Sequence, residues 1–176
     1  MHPIILAHGF IGYRNFLFWS MFGGVAETLR KEGVTVFHPV THPTACIKER
    51  CRIWVEFIER ELGSKQPFHW IGHSMGGLDG RYIASTGGMN LGHRFLTITT
   101  LATPHLGSPL ADRIPRWLQS GLSSAARCGR FFFSGEQRQF LDRLAENRWD
   151  GLQELSPHSI QSQFNLQIPN HPLVQY

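Results

Sequence analysis

The stretch WIGHSMGGLDGRYIA, residues 70–84, places one serine between two glycines where an apolar run passes into a helical pattern. Its core, Gly72-His73-Ser74-Met75-Gly76, fits G-x-S-x-G, the strand-to-helix turn that lifts a serine hydroxyl above the carboxyl end of a sheet. A Cβ at either glycine would collide with the neighbouring strand and helix. A pattern this short also occurs by chance around a serine with no catalytic role. The secondary structure on either side therefore decides whether the motif indicates a nucleophile.

Short apolar runs alternate with amphipathic stretches through the first three fifths of the chain. The alternation predicts an α/β fold, with a mostly parallel sheet covered by helices on both faces. From Pro104 onward the pattern favours helices and loops, which predicts a helical lid or cap over residues 110–163 between two strands. The strands are expected at 4–7, 34–40, 68–71, 95–102 and 173–176, and the helices of the first part at 18–32, 44–62 and 75–86.

A serine nucleophile needs hydrogen-bond donors for the negative charge that develops on the former carbonyl oxygen. One donor is expected at the backbone N–H of Met75, directly after the serine. The other is expected from the loop after the first strand, where His8-Gly9-Phe10 makes the Phe10 N–H the candidate. We expect His8 to brace this loop rather than to act as the base, because a base must approach the serine from the opposite side.

The chain resembles the bacterial triacylglycerol lipases of the α/β-hydrolase fold. Four stretches carry the resemblance: PIILAHGF (3–10), WIGHSMGG (70–77) followed by Arg81-Tyr82, LATPHLGSPLAD (101–112) and FNLQIPNHPLVQY (164–176). The resemblance implies a serine ester hydrolase with Ser74 as nucleophile and Phe10 and Met75 as oxyanion donors. It also implies that part of residues 110–163 is a mobile lid over an acyl-binding cleft.

The resemblance does not supply the acid and base. In the family both lie beyond the strand that residues 173–176 begin, so these residues and the calcium-binding aspartates have no matching positions here. We therefore expect the single domain, residues 1–176, to be incomplete at its C-terminal end. Candidates in the required chain order exist, although nothing local recommends them: Asp112 or Asp150 as acid, with His158 or His171 as base.

Three other histidines have weaker signals. His38 and His42 have a spacing that suits metal ligands, but Pro39 and Pro43 exclude a helix, which favours a loop role. His105 follows the fourth strand, a place where catalytic residues occur, yet the resemblance implies a structural role for its segment. We expect no metal and no cofactor, since the chain contains no nucleotide-binding glycine motif.

Charge is concentrated in one segment of a chain with a formal net charge of +4. Residues 113–148 contain seven arginines and three acidic residues, together with Trp117 and Phe131 to Phe133. This mixture suits an anionic lipid surface or nucleic acid, but it is also typical of a helical cap with a solvated cationic face. We expect peripheral lipid contact through the lid and no nucleic acid.

The remaining composition limits the class of protein. The hydrophobic fraction of 41% is enough for a core, and no apolar run reaches the roughly 18 residues that span a bilayer. The first residues lack the zones of a signal peptide, which leaves the compartment unknown and favours the cytoplasm over export. Cys46, Cys51 and Cys128 are spaced like free thiols rather than like a disulfide framework.

Two hypotheses of different class follow. The first is a serine carboxylic-ester hydrolase, a lipase or esterase of lipid metabolism, whose natural chain is longer and which is poorly active as this chain alone. The second is a non-catalytic hydrolase-like module that binds lipid or protein. A serine acyltransferase or thioesterase of the same fold would share every motif quoted. The intact elbow and His8-Gly9 loop favour the enzyme.

Overall fold

The computed structural model describes residues 2–12, 15–16, 19–20 and 22–176, with backbone only at 15–16 and 19–20. The expected alternation of strands and helices is present. The strands are β1 (Ile4–Ala7), β2 (Asn15–Phe16), β3 (Trp19–Ser20), β4 (Val36–Phe37), β5 (Phe68–His73) and β6 (Phe95–Leu101). The helices before β6 are α1 (Gly23–Lys31), α2 (Ile47–Leu62) and α3 (Met75–Ala84), with a 3-10 turn at Gly92–Arg94.

Four of these strands form one parallel sheet in the order β4-β1-β5-β6, while β2 and β3 form a separate antiparallel pair. The predicted mostly parallel sheet with helical coverings is confirmed. Buried apolar side chains of β1, β5 and β6 pack with α2 and α3 in the main core, where Trp54 contacts Trp70 at a ring distance of 4.9 Å. The serine of the motif therefore lies at the end of a central strand.

The predicted strand at 34–40 is too long, because only Val36–Phe37 pairs with β1. Pro39 has no N–H to donate to a ladder, so the chain leaves the sheet there. The predicted helix at 44–62 begins at Ile47, and Gly63 closes it with φ of +60° as expected. The predicted helix at 18–32 is observed over Gly23–Lys31 and was begun too early, because Trp19–Ser20 form β3; residues 18 and 21 lie outside the described residues.

Every element assigned between β6 and residue 168 is helical, which confirms the predicted excursion after the fourth strand of the sheet. These elements are α4 (Pro109–Arg113), α5 (Arg116–Gly129), a 3-10 turn (Arg130–Phe132), α6 (Gly135–Ala145), α7 (Asp150–Glu154), α8 (Pro157–Ser159), a π-helical turn (Ile160–Phe164) and α9 (Asn165–Gln167). We call residues 109–154 the cap. The strand expected at 173–176 is reduced to one parallel bridge between Thr97 and Gln175.

The cap has a small core of its own, in which α5 packs on α6 through Ala126, Phe140, Leu141 and Leu144. Trp149 joins this cluster and contacts Phe10 at a ring distance of 5.9 Å. The cap therefore meets the rest of the molecule at the loop that follows β1. No helix among the described residues is long and apolar enough to span a membrane.

Candidate active site

Ser74 occupies a sharp turn between β5 and α3, with φ of +53° and ψ of −125°. A side-chain-bearing residue held at such angles stores on the order of 1–3 kcal/mol of strain, so its surroundings must fix it. Two hydrogen bonds do so: the Ser74 N–H donates to the Leu101 carbonyl (2.8 Å), and the Thr103 hydroxyl donates to the Ser74 carbonyl (2.8 Å). The backbone is thus tied down while the side chain stays half-buried.

Glycine is required on both sides of this serine for the reason expected from the sequence. A Cβ at Gly72 would lie 2.5 Å from the Gly76 backbone on α3, and one at Gly76 would lie 2.3 Å from the Ala7 carbonyl oxygen on β1. These contacts are with backbone atoms, which cannot rotate away. The elbow is therefore a close approach of helix and strand.

The His8-Gly9-Phe10 loop lies directly against the serine. A Cβ at Gly9 would be 2.7 Å from Ser74 Cβ and 3.2 Å from its hydroxyl oxygen. The N–H of Phe10 donates to no acceptor among the described residues, and neither does that of Met75 at the first position of α3. By contrast, the next N–H in the loop, that of Ile11, donates to the Pro43 carbonyl at 2.7 Å. Two backbone N–H groups without an acceptor among the described residues therefore belong to the two chain segments that pack on each other at Ser74.

His8 braces this loop. It is fully buried, its Nδ1 bonds to the Gly9 carbonyl (2.9 Å), and its Nε2 accepts the Thr41 N–H (3.0 Å). These bonds require the neutral ring with its proton on Nδ1. Burial lowers the pKa of His8 well below its usual value, and the neighbouring Arg50 lowers it further. The expected structural role of His8 agrees with this geometry, in which both ring nitrogens are occupied away from Ser74.

A buried ion pair that the sequence analysis did not identify holds the other side of the loop. The guanidinium of Arg50 donates to the Asp79 carboxylate at 2.7 Å, and both side chains are 0% exposed. Arg50 also donates to the carbonyls of His8 (2.7 Å) and His42 (3.0 Å), while Trp54 donates to Asp79 at 3.1 Å. Burial raises the pKa of the Asp79 carboxyl, and Arg50 opposes that rise. The pair thus connects α2, α3 and the loop.

A cavity of about 270 Å³ opens beside Ser74. It lies between the elbow and both ends of the cap, and most of its lining is apolar. The lining residues are Phe10, Ser74, Ala102, Pro104, Ser108, Leu110, Ala111, Ile114, Leu152 and Leu155. Trp117, Phe131 and Phe132 do not line this cavity but are exposed, whereas Phe133 packs on the core of the cap.

No described histidine forms a hydrogen bond with the Ser74 hydroxyl. His105 instead bonds to Arg81 (3.3 Å) and to Thr100 (3.2 Å), and burial lowers its pKa. His158 bonds to Ser162 at 3.4 Å, and the ring of His171 accepts the Leu173 N–H at 3.3 Å. The structure therefore does not bring any of these rings to the serine as a base.

The candidate acids and the two loop histidines also lie in other contacts. Asp150 accepts the Cys46 N–H at 3.2 Å, and Asp112 lies exposed on α4. His42 accepts two backbone N–H groups on Nδ1 and bonds through Nε2 to Glu146, directly after α6, at 3.2 Å, so it has the loop role expected of it. His38 is buried and packs its ring against Phe22 at 5.2 Å.

One group of side chains has the composition of a metal site. Ligand atoms of Cys46, Glu49 and Asp150 lie within 4.8 Å of one another. However, both carboxylates pair with Arg148, whose single positive charge offsets one of the two negative charges, and the arginine lowers the pKa of Glu49. Both carboxylates therefore already have a cationic partner within the protein. All three cysteines are free thiols, as the spacing predicted.

Similarity to known proteins extends over most of the chain. The sequence pattern of the alpha/beta hydrolase family matches residues 4–172. A triacylglycerol lipase of Pseudomonas fragi is 28% identical over 116 residues, which cover 64% of this chain and 38% of the relative. Triacylglycerol lipase 2 of Saccharomyces cerevisiae is 34% identical over 108 residues, covering 58% of this chain and 33% of the relative. The chain thus spans a third to two fifths of the length of these curated relatives.

Solved structures show the same fold over nearly the whole chain. The lipase BlEst2 of Bacillus licheniformis in its propeptide form superposes with a TM-score of 0.65 and 22% identity, covering 99% of this chain and 34% of that one. EstA from Clostridium botulinum gives a TM-score of 0.66 and 21% identity, with coverages of 95% and 57%. At these identities the likeness establishes the arrangement of strands and helices.

Proposed function

The chain belongs to the alpha/beta hydrolase family, and we propose that it is a serine carboxylic-ester hydrolase, of lipase or esterase type, with Ser74 as nucleophile. The observation that carries the proposal is the position of Ser74: a strained elbow with φ of +53°, at the mouth of a largely apolar cavity and in contact with the Gly9 backbone. Strained backbone at a cavity is typical of functional sites. The homology to triacylglycerol lipases supports an acyl ester as substrate.

In the proposed reaction the Ser74 hydroxyl oxygen attacks the carbonyl carbon of the ester while its proton passes to a base. The oxyanion of the tetrahedral intermediate accepts hydrogen bonds from the N–H groups of Phe10 and Met75. Each such donor is worth about 3 kcal/mol in the transition state. The intermediate collapses by releasing the alcohol, which takes a proton, and water then hydrolyses the acyl-serine to the free acid.

The acyl chain would lie in the cavity beside Ser74, against side chains of the cap and of the residue that follows it. These are Leu110, Ile114, Leu152 and Leu155. At about 30 Å³ for each water-sized group, a cavity of this size holds roughly nine non-hydrogen atoms. The fit is best for acyl groups of short or medium length. In a series of 4-nitrophenyl esters, we expect the specificity constant to be highest near eight carbons and to fall at sixteen.

No described residue is placed to act as the general base of this reaction. A lone serine hydroxyl is a weak nucleophile near neutral pH, so the 176-residue chain alone should be a poor catalyst. Binding and two backbone donors still leave on the order of 10³–10⁴-fold acceleration over water. We expect residual turnover of this size, without ordinary enzymatic rates.

The test supplies the base from solution. Hydrolysis of 4-nitrophenyl butyrate would be followed at increasing imidazole concentration for the wild-type chain, for Ser74→Ala, and for Ser64→Ala on the loop after α2 as control. Imidazole should accelerate the wild type and Ser64→Ala by at least tenfold more than Ser74→Ala, whose rate gives the background. An equal response of all three proteins would contradict the proposal.

The missing base also favours a second candidate, a non-catalytic module that binds lipid or protein through the same cavity. As such a module, the wild type and Ser74→Ala would bind a medium-chain fatty acid equally well. Imidazole would not raise the hydrolysis rate of the wild type above that of Ser74→Ala. An acyltransferase or thioesterase would share the acyl-serine step. It would differ in transferring the acyl group to an added alcohol faster than to water, or in preferring thioesters to oxygen esters.

A further inference from the structure

One continuous part of the cap contains cations but no anions. Residues 113–135, which we call the acid-free segment, include four arginines and neither aspartate nor glutamate. They form the end of α4, the whole of α5 and the 3-10 turn before α6. The arginines are Arg113, Arg116, Arg127 and Arg130.

The same segment exposes large apolar side chains. Trp117 is 74% exposed, Phe131 69% and Phe132 86%, and Leu118 and Leu122 are also exposed. The buried side of α5, with Ser123 and Ala126, already packs within the cap, and the Trp149 indole donates to Ser123 at 3.2 Å. The exposed side chains therefore take no part in the core of the cap, which other residues form. Large exposed apolar side chains concentrated in one segment favour an interaction site.

The arginines lie among these apolar groups. The Arg130 guanidinium is 5.1 Å from the centre of the Phe131 ring, so charge and ring are presented together. Arg116 directly precedes Trp117, and no described carboxylate pairs with Arg113 or Arg116. The Arg130 guanidinium also pairs with Asp142 of α6 at 3.3 Å, so the segment combines insertable rings with positive charge that is uncompensated at Arg113 and Arg116.

We propose that the acid-free segment is a docking surface for anionic lipid bilayers, which extends the lipid-directed function proposed above to a choice of membrane. Trp117, Phe131 and Phe132 would enter the boundary between headgroups and acyl chains, while the arginines bind lipid phosphates and anionic headgroups. Basic residues with aromatic and leucine side chains are suited to this interface. The docked face would lie on the same cap that covers the cavity beside Ser74.

Two features of the segment favour lipid over other occupants. Leu118 and Leu122 are aliphatic, which suits acyl chains and offers nothing for stacking on nucleic-acid bases. A second copy docked face to face through the same patch would bring Arg113 and Arg116, which no described carboxylate pairs with, near their counterparts, and like charges repel. An anionic bilayer satisfies both the charge and the apolar surface.

The experiment is sedimentation of the whole chain with vesicles of phosphatidylcholine, or of phosphatidylcholine and phosphatidylglycerol at 3:1, at low and high salt. Each arginine near an anionic surface contributes about fivefold to binding. Arg113→Gln with Arg116→Gln should therefore weaken binding to the anionic vesicles by about 25-fold, and Phe131→Ser with Phe132→Ser should weaken it at both salt concentrations. The matched control, Lys31→Gln with Arg52→Gln on α1 and α2, removes the same charge away from the cap and should change binding less than twofold.

Several results would overturn the proposal. Equal binding to both vesicle types, or an equal loss in the control, would show that the segment does not select anionic lipid. Tighter binding to single-stranded DNA than to anionic vesicles, or self-association abolished by Phe131→Ser with Phe132→Ser, would assign the surface to another partner. Because binding is read without hydrolysis, these results are independent of whether Ser74 is a nucleophile.

Discussion

Single glycines fix how closely the elbow approaches the strand beside it. At Gly76 the added methyl group of alanine would overlap the Ala7 carbonyl oxygen at 2.3 Å, whereas at Gly24 on α1 it would meet nothing within 4 Å. The two substitutions are therefore the same chemical change, made once where there is no room for a Cβ and once where there is ample room. The sequence predicted the need for glycine at Gly72 and Gly76, because the motif itself specifies the close approach.

Gly76→Ala should lower the free energy of unfolding by about 1–3 kcal/mol, as overpacking of a close contact does. Gly24→Ala should raise it by up to about 1 kcal/mol, because alanine loses less conformational freedom in a helix. Urea unfolding followed by circular dichroism measures both. Equal effects of the two substitutions would contradict the geometry of the elbow.

The neutral state of His8 makes stability depend on pH. Its pKa is lowered in the folded chain, so below the unfolded value of about 6.5 the unfolded state binds more protons than the folded state. The contribution of neutral His8 to the free energy of unfolding is fully present above that pH. It declines as the pH falls toward the folded pKa, by at most about 1.4 kcal/mol per pH unit.

His8→Asn tests this dependence, since the asparagine amide can still donate to the Gly9 carbonyl but does not titrate. Urea unfolding of both proteins between pH 5 and 7.5 should give a steeper loss of stability toward acid for the wild type. The same slope in both proteins would show that His8 is not held neutral.

At the scale of elements, the Arg50–Asp79 pair joins α2 and α3 to the loop after β1. A signal for it exists in the sequence, because Arg50 lies on the apolar face of α2 with Ile47 and Trp54. Helical periodicity therefore predicts a buried cation. It cannot identify the partner, which lies 29 residues away on another helix.

Asp79→Asn should reduce the free energy of unfolding by about 3–5 kcal/mol, because it leaves a buried guanidinium without its counter-ion. The control is Glu61→Gln, which breaks the largely exposed pair with Arg60 and should cost no more than about 1 kcal/mol. Unfolding in urea compares the two. A loss at Asp79 no larger than that at Glu61 would contradict a buried ion pair.

At the scale of the whole molecule, local patterns predicted the order of strands and helices and the position of the elbow. Local patterns could not predict the contacts between segments that are distant in the chain. His42 with Glu146 and Glu49 with Arg148 fix the end of the cap to the loop before α2 and to the first turn of α2, across 104 and 99 residues. Nothing in either segment specifies its partner. Phe131 and Phe132 face solvent because other side chains complete the core of the cap, which local patterns also do not specify.

The central claim, that Ser74 is the nucleophile of an ester hydrolase, is tested most directly by covalent labelling with a fluorophosphonate. The reagent would be incubated with the whole chain at pH 9, and the rate of modification of each serine read by peptide mass spectrometry. Because the N–H groups of Phe10 and Met75 donate to no described acceptor, they remain available to a phosphonyl oxygen, and we expect Ser74 to be modified at least tenfold faster than any other serine. Labelling of Ser74 no faster than that of the remaining serines would contradict the claim.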